Sequence, residues 1–220
     1  MKEEKMKNEN KSYYLFDFDG TLVDSMPTYS ALMLRILDEY GVKYGDDIIK
    51  IITPLGYVGT AKYFVENMGV KEDEKKLIAL MLKYAVDAYT NVVPAKEHVV
   101  DALVELKKRG ASLNVLTASP HEALDPCLKR IGIFDMFDNV WSCNDFGTTK
   151  ADTAIYHMAA ERMGVGVGDV IFLDDNLNAD KTAKQAGMIV YGVYDDSSAE
   201  YVDEMKAATD KYVYDFRELL

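Results

Sequence analysis

Leu15-Phe16-Asp17-Phe18-Asp19-Gly20-Thr21-Leu22 decides the reading of this chain, because it sets two carboxylates where an apolar strand has just ended. Tyr13, Tyr14, Leu15 and Phe16 form an unbroken apolar run, the pattern of a strand buried on both faces of a parallel sheet. Asp17 then sits at the strand's carboxyl end, where open α/β sheets place their ligand crevice. Asp17 and Asp19 are two apart and share a face on a continuing strand, and Gly20 lets the backbone turn and approach a ligand closely. A hard cation and a phosphate suit such a place. A turn or cap is the ordinary alternative for one Asp-Gly pair, so the rest of the chain has to decide.

Outward from this stretch the periodicity changes. Pro27 can start a helix, Leu32, Met33, Ile36, Leu37 and Tyr40 recur at three- and four-residue steps, and Gly41 ends it. Further helices are predicted over about 46–52, 57–68 and 71–90. A parallel sheet returns to a strand after one crossover helix, so residues 25–91, which hold no convincing strand, read as a helical insertion. Tyr63, Phe64, Met68, Met81, Leu82 and Tyr84 read as the core of that insertion rather than as a cofactor pocket.

From Pro94 helix and strand alternate. Helices are predicted at 96–109, about 120–130, 151–163, up to Ala186 and near 199–207. Strands are predicted at 113–117, near Val140-Trp141, at 170–173, 189–193 and 212–213. The expected fold is α/β, a doubly wound parallel sheet built from 13–24 and 92–220, carrying a helical insertion over 25–91 and a flexible tail over 1–12.

The net charge of −12 over 220 residues lacks the basic patch of a nucleic-acid binder. Cys127 and Cys143 form no Cys-X-X-Cys and read as small buried thiols. No run approaches the roughly 18 apolar residues of a membrane helix, and Met1 to Asn10 is charged where a signal peptide is apolar. A soluble cytoplasmic protein is expected, a monomer or weak homodimer, with neither nucleic acid nor membrane as partner.

Three further strand ends carry polar groups that a phosphoryl site needs. The Thr117 hydroxyl and the backbone N–H of Ala118 can bind phosphoryl oxygens ahead of a helix, although Thr117 or Ser119 could equally cap it. Lys150 follows Gly147-Thr148-Thr149 and precedes a helix, where a cation opposes the dipole unless an anion is near; a solvated lysine is the alternative. Asp174 and Asp175 would repel each other at a crowded crevice unless a cation neutralises them, and Mg2+ takes such oxygen ligands. Asp180 continues the acidic cluster into the next helix. A helix cap is the alternative for Asp174 or Asp175.

In this order Asp17 and Asp19, Thr117, Lys150, then Asp174, Asp175 and Asp180 resemble the four motifs of the haloacid dehalogenase superfamily. The insertion resembles the cap of its phosphoglycolate phosphatase and β-phosphoglucomutase branch, as does the ending Tyr212-Val213-Tyr214-Asp215-Phe216-Arg217-Glu218-Leu219. The resemblance implies that Asp17 is a nucleophile that becomes an aspartyl phosphate, and that Asp19 is the general acid and base. It implies Mg2+ held by Asp17, Asp175, the accessory Asp174 and the backbone carbonyl of Asp19. Thr117, Ala118 and Lys150 would bind the phosphoryl group, and Asp180 would hold a water or Lys150. Ala151 stands where proline usually follows the lysine.

Dehalogenases of the superfamily lack the second aspartate and phosphonate hydrolases carry alanine there, so Asp19 favours phosphoryl transfer from oxygen. A mutase cap would supply a histidine where Tyr29 stands and a cationic grip. The insertion's one arginine is Arg35, and Thr53-Pro54-Leu55-Gly56-Tyr57 contains none. The expected activity is a Mg2+-dependent phosphatase acting on a small phosphorylated metabolite, of phosphoglycolate or sugar-phosphate type. A β-phosphoglucomutase-like phosphoryl transferase is the alternative, and a nonenzymatic metabolite-binding module would be expected to lose Asp19, Lys150 or a metal carboxylate. Tyr29, Thr53, Gly56 and Tyr57 are the specificity candidates, with the 53–57 loop expected to reach over Asp17 by hinging at 25–27 and 91–94.

Overall fold

The computed structural model describes residues 12–220; of the tail expected over 1–12, only Ser12 falls among them. The chain forms two compact units, one running through Asp24 and again from Pro94 to Leu220, the other spanning Ser25–Val93.

The first unit opens with β1 (Tyr13–Phe16), buried along its whole length. The helical unit follows in the sequence, with α1 (Met26–Glu39), α2 (Ile48–Ile52), α3 (Gly56–Glu66) and α4 (Glu74–Asn91). Its core is Met33, Ile36, Leu37, Ile52, Phe64, Leu77 and Met81, with Tyr63, Met68 and Tyr84 packed against it. Tyr63, Phe64, Met68, Met81 and Tyr84 are therefore packing residues, as their spacing predicts.

The chain then returns to the first unit with α5 (Val99–Lys108), β2 (Ser112–Thr117), α6 (His121–Arg130), β3 (Asn139–Ser142) and α7 (Thr153–Met163). It ends with β4 (Val170–Asp174), α8 (Leu177–Ala186), β5 (Ile189–Val193), α9 (Val202–Ala208) and β6 (Lys211–Val213). The strands make one sheet in the order β3-β2-β1-β4-β5-β6, every neighbouring pair parallel. From β1 the chain winds outward through β2 and β3, then comes back to the other side of β1 with β4. The winding reverses between β1 and β4, which is where open α/β sheets form a crevice at the strands' carboxyl ends.

Successive residues of a strand face opposite sides, and β1 serves both layers. Leu15 packs with Phe172 and Val190 against Ile155, Tyr156 and Ala159 of α7 and Ala183 of α8. Phe16, on the other face, stacks on Phe216 at 6.2 Å and meets Phe137 edge-on at 6.4 Å.

Three expectations need correction. The predicted loop over 53–57 is helical, because Ile52 and Thr53 keep right-handed helical angles into a 3-10 turn over Thr53–Leu55. The backbone breaks only at Gly56, whose φ of +61° starts α3. The helix predicted from Lys96 starts at Val99, because residues 94–96 pair with 22–24. Val23 and Ala95 form an antiparallel bridge, Asp24 N donates to Pro94 O and Lys96 N to Leu22 O, both at 3.0 Å. The helix predicted near 199–207 is shifted: a 3-10 turn occupies Asp196–Tyr201 before α9.

Candidate active site

The backbone N–H of Asp17 donates to Leu173 O at 2.8 Å, which prolongs the β1–β4 pairing by one residue and seats Asp17 beside Asp174 and Asp175. Oxygens of these three carboxylates lie within 4.8 Å of one another. Lys150 reaches them from the loop before α7, donating to Asp17 Oδ1 at 2.5 Å and Asp174 Oδ2 at 2.7 Å. The Tyr156 hydroxyl steadies that loop, its single proton shared between Lys150 O at 3.0 Å and Ala179 O at 3.1 Å. Lys150 is thus a buried ion-pair partner and not a solvated lysine.

Each aspartate is held separately. Asp174 Oδ1 accepts from Asn176 N at 2.8 Å, while Asn176 itself caps α8, accepting from Asn178 N and Ala179 N. Asp175 Oδ1 accepts from the Thr21 hydroxyl at 3.1 Å. Gly20, at φ +71°, lies so close that a Cβ there would stand 2.4 Å from Asp175 Oδ2. Neither a left-handed backbone nor that approach tolerates a side chain.

Asp19 points elsewhere. Its carboxylate is outside the three-aspartate group, and Oδ2 accepts from the Ser119 hydroxyl at 2.5 Å. Ser119 is therefore no helix cap; the residue before α6 is Pro120. Thr117 Oγ1 accepts from Ser119 N at 3.0 Å and is buried, while Ala118 is exposed at the turn. The structure thus brings Asp17, Asp19, Thr117, Lys150, Asp174 and Asp175 to the carboxyl ends of β1, β2 and β4.

Asp180 corrects one expectation. Lys150 donates to Asp17 and Asp174, and both Asp180 oxygens are buried without a hydrogen-bond partner in the protein. Of the two roles expected for it, holding Lys150 is ruled out by this geometry.

The electrostatics follow from three buried carboxylates facing one ammonium. Burial pushes the Asp17 carboxyl up to about 8, Lys150 pulling it down and Asp174 and Asp19 adding to the rise. Burial and then Asp174 and Asp17 raise Asp175 well above the usual carboxylate range. Burial and Asp174 lift Asp180 to about 9. Burial works against the Lys150 ammonium, but Asp17 and Asp174 outweigh it and hold the group well above its ordinary value.

Tyr29, Thr53, Gly56 and Tyr57 belong to the helical unit. The Tyr29 hydroxyl lies 3.4 Å from Thr60 Oγ1, and its ring is 5.9 Å from that of Tyr57. The Thr53 hydroxyl donates to Ile49 O at 2.7 Å within its own helical turn.

Thr21, Ser119 and Tyr156 escape the sequence reading as site residues. Thr21 and Ser119 lie inside stretches singled out for other residues, and a hydroxyl directly beside a proposed carboxylate or phosphate binder is the signal that could have found them. Tyr156 gives none, because its helical neighbours are ordinary core.

The haloacid dehalogenase-like hydrolase family model matches residues 14–193. Pyrophosphatase PpaX of Bacillus velezensis is 30% identical over 190 residues, covering 86% of this chain and 85% of that protein. Phosphoglycolate phosphatase 1 of Pseudomonas aeruginosa is 27% identical over 184 residues, covering 79% and 66%. CbbY from Rhodobacter sphaeroides, solved in complex with phosphate, superposes with a TM-score of 0.77 at 20% identity over 95% of this chain and 96% of that one.

Proposed function

Because this chain belongs to the haloacid dehalogenase-like hydrolase family, we propose that it is a Mg2+-dependent phosphatase of small phosphorylated metabolites that works through phosphorylation of Asp17. The observation that carries this is the Lys150 ammonium bridging Asp17 and Asp174 inside a cluster of three buried carboxylates. A packed core has no use for that charge, and an isolated excess of buried carboxylate is costly.

A divalent cation fits the donor set. The oxygens are hard, they converge, and one lysine leaves the cluster with a surplus of negative charge that burial makes expensive. Asp17, Asp174, Asp175 and the Asp19 carbonyl would hold Mg2+. When bound it would offset that charge and polarise a phosphoryl oxygen.

The remaining work falls to the chain itself. Asp17 Oδ2 is the oxygen free of Lys150 and is the proposed nucleophile toward phosphorus. Lys150, the Thr117 hydroxyl and the Ala118 N–H bind the phosphoryl oxygens. Asp19 delivers a proton to the leaving oxygen and then takes one from the water that cleaves the acyl phosphate. The Ser119 hydrogen bond keeps its carboxylate turned toward the β2 end, apart from the three-aspartate group.

The substrate is proposed to carry a single phosphate, of phosphoglycolate or sugar-phosphate type. A second phosphate calls for a cationic grip, and Arg35, the helical unit's arginine, is committed to Glu39 at 2.9 Å and stacked 4.0 Å over Tyr84. Tyr29, Thr53, Gly56 and Tyr57 are the proposed specificity positions. The test is phosphate release from a panel of monophosphates and bisphosphates with Mg2+ or chelator. Release that is Mg2+-dependent, prefers monophosphates and is lost in Asp17→Asn is expected. Equal release by Asp17→Asn would refute the mechanism.

A further inference from the structure

We propose that Lys96 is a positioning residue for the metal carboxylate Asp175, acting through the Gly20–Thr21 turn. The proposal rests on the metal-dependent reading above. Lys96 has no part in the family-like motifs, and its sequence setting gives it only as the start of a predicted helix. It lies instead in the extended segment that bridges to Val23, before α5 begins. Its side chain is 19% exposed, so the ammonium is largely withdrawn from water and must find its acceptors in the protein.

It finds three, which is as many as an ammonium has protons. Nζ donates to Gly20 O at 2.7 Å, Tyr194 O at 2.5 Å and Asp195 Oδ2 at 3.0 Å. Asp195 is itself fixed, its other oxygen accepting from Ser197 N at 2.9 Å and the Ser197 hydroxyl at 2.6 Å. Tyr194 N donates to Val213 O at 2.9 Å, which anchors the turn after β5 to β6. One side chain therefore ties the turn after β1, the segment at which the chain re-enters this unit and the turn after β5.

The link to Asp175 is contact. A Cβ on Gly20 would meet three atoms of the Asp175 carboxyl at 2.4 to 2.8 Å, so the Gly20 backbone forms the wall against which that carboxyl rests. The next residue, Thr21, donates to Asp175 Oδ1 at 3.1 Å. A turn free to shift by a few tenths of an ångström would carry both the wall and the donor with it. Groups that orient a metal ligand without touching the metal typically change affinity about 10- to 100-fold when removed. Lys96 acts one bond further out, so an effect near the lower end, about tenfold, is expected.

The test is binding of Mn2+ alone to the metal-free full-length protein, followed by electron paramagnetic resonance, for wild type, Lys96→Met, Lys96→Arg and Asp195→Asn, each with a thermal melt. Lys96→Met is expected to bind about tenfold more weakly while melting cooperatively, and Lys96→Arg to recover most of the affinity. Unchanged affinity in a folded Lys96→Met would overturn the proposal and leave the phosphatase reading standing. Absence of Mn2+ binding by the wild type would overturn the metal-dependent reading and this proposal with it. Should Lys96→Met fail to melt cooperatively, Asp195→Asn decides, since it leaves the lysine both carbonyls: weaker binding supports the proposal and wild-type affinity overturns it.

Discussion

Replacing Gly20 by Ala should cost this protein more than its backbone angle alone explains. Gly20 sits at φ +71°, where a Cβ costs about 1–2 kcal/mol. Here the methyl group also lands 2.4 to 2.8 Å from the Asp175 carboxyl, which must swing away and give up its bond from Thr21. A hydrogen bond to a charged group is worth about 1.5–3 kcal/mol. The sum is about 2.5–5 kcal/mol, a large part of the roughly 5–15 kcal/mol that holds a domain together. Gly164 is the control, with φ +73° and nothing within 4 Å of its missing Cβ. Guanidinium unfolding of Gly20→Ala and Gly164→Ala, in chelator, isolates the clash as the difference between them. That difference should be about 1.5–3 kcal/mol, and the Mg2+ needed for half-maximal phosphatase activity should rise at least tenfold in Gly20→Ala alone. Equal destabilisation by the two substitutions would refute the claim that Gly20 is there to admit Asp175.

Lys150→Met strands Asp17 and Asp174, and removing one partner of a buried pair costs about 3–5 kcal/mol. Carboxyls that the fold raises lose stability as pH climbs above the ordinary carboxylate range, so in chelator the loss should be greater at pH 8 than at pH 5; a loss independent of pH would contradict the assignment. His121 bonds Asp125 Oδ1 and Asp145 Oδ2, both at 2.8 Å, and these partners, Asp125 foremost, raise it above its ordinary 6.5. Its contribution is fully present below that ordinary value and lost as pH rises through the raised one, so the denaturant midpoint of His121→Gln should trail wild type at pH 6 and converge with it at alkaline pH. Asp19→Ala should slow phosphorylation of the enzyme by alkyl phosphates about 10²- to 10⁴-fold and by aryl phosphates, whose oxygen leaves unprotonated, much less, as read from leaving-group release in the first turnover; an equal loss on both would remove the acid role.

What could be read in the sequence, and what could not, divides along the distance over which a residue acts. The run 13–16 ends in Asp17, and 170–173 runs into Asp174 and Asp175, so strand and carboxylate are legible from adjacent letters. The register of the sheet then brings the two ends together, Phe16 opposite Leu173. The sequence predicts a helix from Lys96 because its acceptors lie 76, 98 and 99 residues away, and only the pairing of 22–24 with 94–96 directs it to them. Ser119 offers itself as a cap because capping is local, whereas its acceptor Asp19 is 100 residues distant. The 53–57 stretch is expected as a loop, yet one positive φ at Gly56 suffices to pass from one helical turn to the next. For Asp180 the sequence leaves a water or Lys150 as partner, and nothing in it tells that Lys150 would bond Asp17 and Asp174 and not Asp180.

The central claim is that Asp17 carries the phosphoryl group, and the most direct measurement is acid quenching of the enzyme within its first turnovers, followed by mass mapping of its peptides. The account predicts one phosphoryl group on the peptide containing Asp17, formed in the presence of Mg2+, lost on treatment with hydroxylamine and accumulating more strongly in Asp19→Ala. Phosphate release at full rate with that peptide never modified, and with Asp17→Asn as active as wild type, would contradict it.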